Sequence, residues 1–311
     1  MERCVAKWSA MNEALLVKTD DDRAPSANDE WMFYQALAGA WPFALDTTDH
    51  GALAALADRM AAFMLKAIKE AKVRTSWTGP DEPYEEAVKA FVRGALDPAR
   101  SRAFLEDFSA AQGPLEVAGA LNSLSQTLLK LTAPGVPDIY QGGELWDLSL
   151  VDPDNRRPVD FDARRQLLDG HASRDAADLV ADWRSGAIKL SVVAKALQLR
   201  AEEPSLFTTG DYTQLTANGA RGQSILAFLR SDDTHAAIAI VPLRASALLK
   251  GSGQPLVPAS AWGDTHLTLD AARAGRRWRN VLTGETVSAA DGRVNIAEAL
   301  KTFPVALLVA G

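Results

Sequence analysis

The sequence contains a single cysteine, Cys4, among 311 residues. No internal disulfide can form, and no set of thiolates is present to hold a zinc ion or an iron–sulfur cluster. A reducing, cytoplasmic setting is the expectation. An excess of basic charge is also missing, the net charge being -7 at pH 7. Nucleic acid and anionic membrane both require clustered Lys and Arg, so neither is an expected partner. Histidine is scarce: His50, His171, His235 and His266 are the four present. No apolar run approaches the ~20 residues of a membrane helix. The N-terminus, MERCVAKWSAMNEALLVKTDDD, carries charges where a secretion signal needs an apolar stretch. What the chain does have is apolar side chains, 47% of the total. At this length that is enough to fill about two domain cores.

The two halves of the chain follow different periods. From Leu53, apolar Leu56, Met60, Phe63, Met64, Ala67 and Ile68 recur in steps of three and four, which predicts one face of a helix. Asp58, Arg59, Lys66, Lys69 and Glu70 fall on the opposite, solvated face. A second helix is predicted after Pro83, burying Tyr84, Val88, Phe91 and Val92. A third, shorter one carries Phe104, Leu105 and Phe108. The fourth starts near Pro114, a residue suited to a first helical turn, and stops at Ala133-Pro134-Gly135. Val136 to Tyr140 (VPDIY) fits a short buried parallel strand. A helix is predicted over roughly Ala187 to Glu202. Beyond Pro204 the period becomes two. Strands are predicted at Ser224–Arg230, Ala236–Leu243, Thr265–Leu269, Arg277–Leu282 and Pro304–Val309, with turns at Asp232-Asp233 and Thr283-Gly284. Short strands separated by turn signals predict a small antiparallel sandwich.

The most informative segment runs from Pro134 to Asp162, PGVPDIYQGGELWDLSLVDPDNRRPVDFD. It is too long and too rich in Trp146, Leu148, Leu150, Val151, Val159 and Phe161 for a linker, and is expected to be an ordered loop. Gly142 and Gly143 allow backbone angles closed to other residues. Tyr140 and Trp146 offer flat faces on which a sugar ring can stack. Asp138, Glu144, Asp147, Asp152, Asp154 and Asn155 can accept hydrogen bonds from hydroxyls, and Arg156 and Arg157 can fix those acids or donate to a ligand. Two readings stay open from the residues alone: a sugar-binding rim, or acids and arginines that pair only to stiffen the loop. The Asp152, Asp154, Asn155 spacing lacks the glycine of a calcium loop and sits beside two arginines, so no metal is expected. No cofactor is expected either. Trp8, Trp31, Trp41, Trp183, Trp262 and Trp278 are expected to pack in cores. Lys72, Arg74, Ser76 and Trp77 are weaker candidates for contact with an acceptor sugar.

Gly135-Val136-Pro137-Asp138-Ile139-Tyr140-Gln141-Gly142, followed by Glu144, resembles the eighth-strand signature of the α-amylase superfamily. The continuation from Glu144 to Phe161 is narrower and resembles the maltooligosyltrehalose synthase family. Asn28-Asp29-Glu30 with Tyr34-Gln35 and Gly39-Ala40-Trp41-Pro42 is similar to a second segment of that family. So are Ala71–Trp77 with Tyr84–Val88, Asp182-Trp183 with Ile188-Lys189-Leu190, and Gly210-Asp211-Tyr212. The resemblance implies an α+β multidomain fold: over residues 1–203 the C-terminal remnant of a (β/α)8 barrel with a helical insertion, and over 204–311 an antiparallel β-sandwich. It implies intramolecular transglucosylation, turning the reducing-end α-1,4 linkage of a maltooligosaccharide into an α,α-1,1 linkage. Such retaining chemistry needs a carboxylate nucleophile and a second carboxyl as acid and base. The family's nucleophile, acid/base and third acid precede the segment that matches Met1, so no catalytic residue is expected in this chain. Alone it is expected to be inactive, the partner being a separate N-terminal half; a non-catalytic glucan-binding remnant is the alternative. Tyr140, Glu144, Asp154, Asn155 and Arg156 are the expected contacts to maltooligosaccharide or α-1,4-glucan.

Overall fold

The computed structural model describes residues 2–18, 23–170, 174–249, 251–271 and 273–310; His171 lies outside them. Compactness divides the chain into two units, Met1–Leu115 with Leu148–Pro158, and Glu116–Asp147 with Val159–Gly311. This division does not follow the change of period at Pro204; the strands of the second half begin at Asp211, after a short helix over Pro204–Thr208.

The first unit is helical: α1 (Glu2–Met11), α2 (Ala27–Ala40), α3 (His50–Ala71), α4 (Glu82–Ala95) and the first part of α5 (Pro98–Thr132), with a two-residue pair of strands, β1 (Val17–Lys18) and β2 (Arg23–Ala24). Side-chain oxygens satisfy the first free amides of three helices: Ser26 accepts from Asp29 N on α2, Asp49 from Ala52 N on α3, and Asp81 from Tyr84 N on α4. The apolar faces meet in an aromatic cluster. Trp8 lies 4.7 Å from Phe108 and 5.6 Å from Tyr34, and Phe33 meets Phe91 edge-on at 5.6 Å. The motif residues of α2 serve this fold. Tyr84 donates its hydroxyl to Asp29, while Glu30 accepts from Tyr34 at 3.0 Å and pairs with Arg23 at 2.7 Å. Burial pushes the Tyr34 hydroxyl pKa well up, so it acts as a neutral donor.

Two predicted helices are one. Helix α5 passes through Pro114, with a non-helical residue only at Ser101 near its start. An interior proline removes one backbone hydrogen bond and crowds the preceding turn, at about 3 kcal/mol. Pro114 is exposed, and buried Phe104, Leu105 and Phe108 before it and Val117, Leu121, Leu124 and Leu128 after it hold the turns on either side.

The second unit begins with the remainder of α5 and continues with α6 (Phe161–Gly170), α7 (Ala176–Ala181), α8 (Ala187–Glu202) and α9 (Pro204–Thr208). Strands follow: β3 (Asp211–Leu215), β4 (Ala217–Asn218), β5 (Ile225–Ser231), β6 (Ala236–Pro242), β7 (His266–Thr268), β8 (Arg277–Asn280), β9 (Thr286–Ser288), β10 (Arg293–Asn295) and β11 (Ala306–Ala310), with one-turn helices α10 (Ser246–Leu249) and α11 (Ile296–Ala299) between them. They form two antiparallel sheets, of order β3-β5-β6-β11-β8-β9 and β10-β7-β4. Strands β8, β9 and β10 alternate buried and exposed residues. Central β5 and β6 are buried at nearly every position, so the alternation expected of them is absent.

Two arginines close the end of α5. Arg200 donates to Leu131 O at 2.9 Å, and Arg230, 2% exposed, donates to the carbonyls of Thr132, Phe207, Gly210 and Asp211. Carbonyls at helix ends lack partners and carry partial negative charge, which is why a buried guanidinium rests there without a carboxylate.

The expectation of a buried strand at Val136–Tyr140 is not met. This segment belongs to no sheet among the described residues, and Val136 is 96% exposed. A strand needs a neighbouring strand for its amides and carbonyls, and none lies beside this segment among the described residues; Val136, Asp138 and Tyr140 are exposed, and Pro137 and Ile139 are half-buried.

Candidate functional site

The structure divides the informative loop between the two units. Asp154, Asn155 and Arg156 belong to the first, Tyr140 and Glu144 to the second.

In the first unit, residues 148–158 form a strap fixed to α3. Arg59 grips Asp154 with two parallel bonds, Nε to Oδ1 and Nη2 to Oδ2, both 2.9 Å, and Nη2 also donates to Leu148 O at 2.9 Å. Two turns along α3, Lys66 Nζ donates to Asp152 O at 2.7 Å and lies 3.4 Å from its carboxylate. Asp154 Oδ2 further accepts from Leu150 N at 2.7 Å, and Arg157 Nε lies 3.1 Å from Oδ1. Burial works to raise the Asp154 pKa, but the Arg59 hydrogen bonds, the Leu150 amide and the two guanidinium charges together hold it below the usual carboxylate value. Asp154 is therefore an anion committed on both oxygens to the strap. Arg156 is ion-paired with Asp152 and exposed, and exposed Asn155 lies beside it in the 3-10 turn Asp154–Arg156. Of these three residues, Asn155 and Arg156 present side chains outward.

In the second unit, Gly143 N donates to Tyr140 O at 2.9 Å and closes a turn. Gly142 takes φ +88°, and a Cβ there would stand 3.2 Å from Val159 Cγ2. Glycine is required for both reasons. Arg164 of α6 clasps the turn, donating to Gly142 O at 2.8 Å and Asp160 O at 3.0 Å, with Glu144 Oε2 at 3.2 Å. Further along, Trp146 Nε1 donates to Trp183 O at 2.7 Å, and Lys189 Nζ donates to Leu145 O at 2.9 Å and lies 5.9 Å from the Trp146 ring. Burial, and then the charge of Lys130, lower the Lys189 pKa, against the pull of Asp147 and Glu144. Tyr140 remains 53% exposed.

Sequence reasoning missed Arg59, Lys66, Arg164 and Lys189 as the groups that hold the loop. Arg59 and Lys66 read as solvated face; the signal available was their spacing of seven, two turns of one helix. Of the tryptophans expected to pack in cores, Trp8, Trp41, Trp183, Trp262 and Trp278 are buried, while Trp31 is half-buried against the core of the first unit. Trp77 is 59% exposed, with Lys69 5.0 Å from its ring.

The chain is 34% identical over 286 residues to a putative maltooligosyl trehalose synthase of Mycobacterium tuberculosis, a match covering 92% of this chain and 32% of that protein. The structure of maltooligosyltrehalose synthase from Arthrobacter ramosus matches 98% of the chain at 34% identity, with a TM-score of 0.71. The chain belongs to the maltooligosyltrehalose synthase family. A further maltooligosyl trehalose synthase crystal structure matches at 25% identity, with a TM-score of 0.72. No protein-family profile matches. The chain spans about a third of the length of these synthases, 32% of the curated relative and 35% of the solved structures. That share fits a C-terminal portion of the family's chain. No described helix is long and apolar enough to cross a membrane.

Proposed function

We propose that this chain supplies part of the maltooligosaccharide-binding rim of a maltooligosyltrehalose synthase-type reaction. In that reaction the reducing-end α-1,4 linkage is isomerised to α,α-1,1. In this reading residues 1–203 correspond to the end of a barrel with a helical insertion, and residues 204–311 to a bracing β-sandwich. The nucleophile, acid/base and third acid come from the two thirds of the family's length that the chain does not span. The observation that carries the reading is the relationship to the synthases along nearly the whole chain but only a third of theirs. The local chemistry agrees: the Asp154 carboxyl is held ionised, so it accepts hydrogen bonds and does not deliver a proton. A cytoplasmic setting agrees with the lone Cys4. Tyr140, Glu144, Asn155 and Arg156 are the proposed sugar contacts, with Asp154 holding the latter two in place.

The test is to assay maltopentaose conversion by the chain alone, and after co-expression with the N-terminal two thirds of a family member. No conversion alone, and a trehalose-ended product from the co-purified complex, is the expected outcome. Turnover by the chain alone, or a proven complex without turnover, overturns it. The second reading is glucan binding without turnover, favoured by the exposure of the aromatic Tyr140. It predicts maltopentaose affinity in the chain whether or not a partner restores activity.

A further inference from the structure

The second unit carries a depression that none of the sugar-contact candidates lines. It has a cavity volume of about 390 Å³ and lies on the outer face of β8, β9 and β11, walled by the C-terminal end of α8 and by α9. One wall is cationic. Arg277 and Arg279 alternate with buried Trp278 on β8 and so share the outer face, with Thr286 of β9 in register with Arg279. Neither guanidinium makes a hydrogen bond or ion pair among the described residues. The opposite wall is anionic. Glu202 is held by Gln198 on its own helix at 2.8 Å, and Glu203 Oε2 lies 3.0 Å from His235 Nδ1. Leu199, Leu206 and Val309 supply an apolar floor.

Opposite charges line one depression without closing on each other. Arginines on an open sheet face ordinarily fold onto the nearest carboxylate; here both glutamates are engaged elsewhere, and the space between the walls is left open. A ligand that suits this space carries an anionic group for the arginines, hydroxyl donors for the glutamates, and a C–H face for the floor. We propose that this depression is a binding site for an anionic monosaccharide, a sugar phosphate or sugar acid, its anion held between Arg277 and Arg279. Two adjacent guanidiniums form planar forks that match phosphate and carboxylate oxygens. The glutamates act as acceptors for vicinal hydroxyls and exclude ligands that are anionic throughout. The inference rests on this unit's own geometry and is independent of the family reaction.

Titration of the chain with glucose 6-phosphate, glucuronate, inorganic phosphate and glucose, followed by calorimetry or amide chemical shifts, tests it. Saturable binding of at least one anionic sugar is expected, at least about tenfold tighter than phosphate or glucose. Arg277→Gln and Arg279→Gln should each weaken it about tenfold, the loss of one charge-assisted hydrogen bond. Glucose 6-phosphate ahead of glucuronate identifies a phosphate ester as the ligand class; the reverse identifies a sugar acid. Both arginines are exposed, so the variants should keep the parent melting temperature. Equal binding of inorganic phosphate overturns the sugar half of the proposal, and equal binding of glucose overturns the anion half. Failure of every anionic sugar to bind below about 10 mM, or unchanged affinity in both variants, overturns the site.

Discussion

The two parts of the loop that identifies the family are anchored in opposite ways. Residues 148–158 are held by charge, with Arg59 and Lys66 of α3 reaching across to carboxylates and carbonyls that are 86 to 95 residues away in sequence. Residues 140–147 are held mainly through the backbone: a glycine at φ +88°, the Arg164 guanidinium and the Lys189 ammonium on carbonyls, and an indole N–H on a carbonyl, with a single ion pair, Arg164 to Glu144, beside them. Anchoring by charge consumes the acids that a sugar would need, as at Asp154. Anchoring through the backbone leaves side chains such as Tyr140 available. The density of acids in such a loop is thus a poor guide to which of them meets ligand.

The comparison breaks most visibly at Arg59. Arg59→Ala leaves Asp154 largely buried without its bidentate partner, and the first unit should lose about 3 kcal/mol in denaturant unfolding. The Leu150 amide, which donates to Asp154, should lose hydrogen-exchange protection with it. If exchange at Leu150 is unchanged, the charge clasp is not what holds the strap. The pH dependence has a definite sign. The folded Asp154 pKa is depressed, so its contribution is present above the unfolded value near 4 and disappears as pH falls through the lower folded value. Strap protection should therefore fade only in acid, and Asp154→Asn should abolish that fading.

Gly142→Ala probes the other half. A side chain at φ +88° that also meets Val159 should cost about 1–2 kcal/mol and unseat the Arg164 contact. The strap's exchange pattern should not change, and a loss of protection there would mean that the two anchors are one. Lys66→Ala is smaller, about 1 kcal/mol, because the ammonium is a quarter exposed and its main bond is to a carbonyl.

These anchors also mark the limit of what the sequence discloses. Helix α8 falls at its predicted bounds, and the Asp232-Asp233 turn and the Thr283-Gly284 hairpin stand where turn chemistry places them, because each is decided by neighbours in sequence. Periodicity also found both faces of α3, but it reports only that a face is polar, not that a segment ninety residues on will lie over it. Helix α5 runs on through Pro114 because packing on either side outweighs a local rule. Val136–Tyr140 shows the converse: a strand signal is met only where a partner strand exists, and none is present among the described residues.

The smallest expected effect on stability is the most telling for function. Tyr140 is half exposed, and the hydrogen bond at its position runs through its backbone carbonyl, so Tyr140→Ala should alter unfolding by less than about 0.5 kcal/mol. Its ring is the part left over from folding. If sugar stacks there, the same substitution should weaken maltopentaose binding by about 1 kcal/mol, a factor of about five. Tyr140→Phe should keep the affinity, since stacking uses the face and not the hydroxyl. Arg59→Ala sharpens the contrast: a large loss of stability with a loss of affinity confined to what Asn155 and Arg156 contribute. If Tyr140→Ala binds as the parent does, the backbone-anchored half of the loop is not the sugar platform, and the outward side chains of the charge-anchored half carry the contact instead.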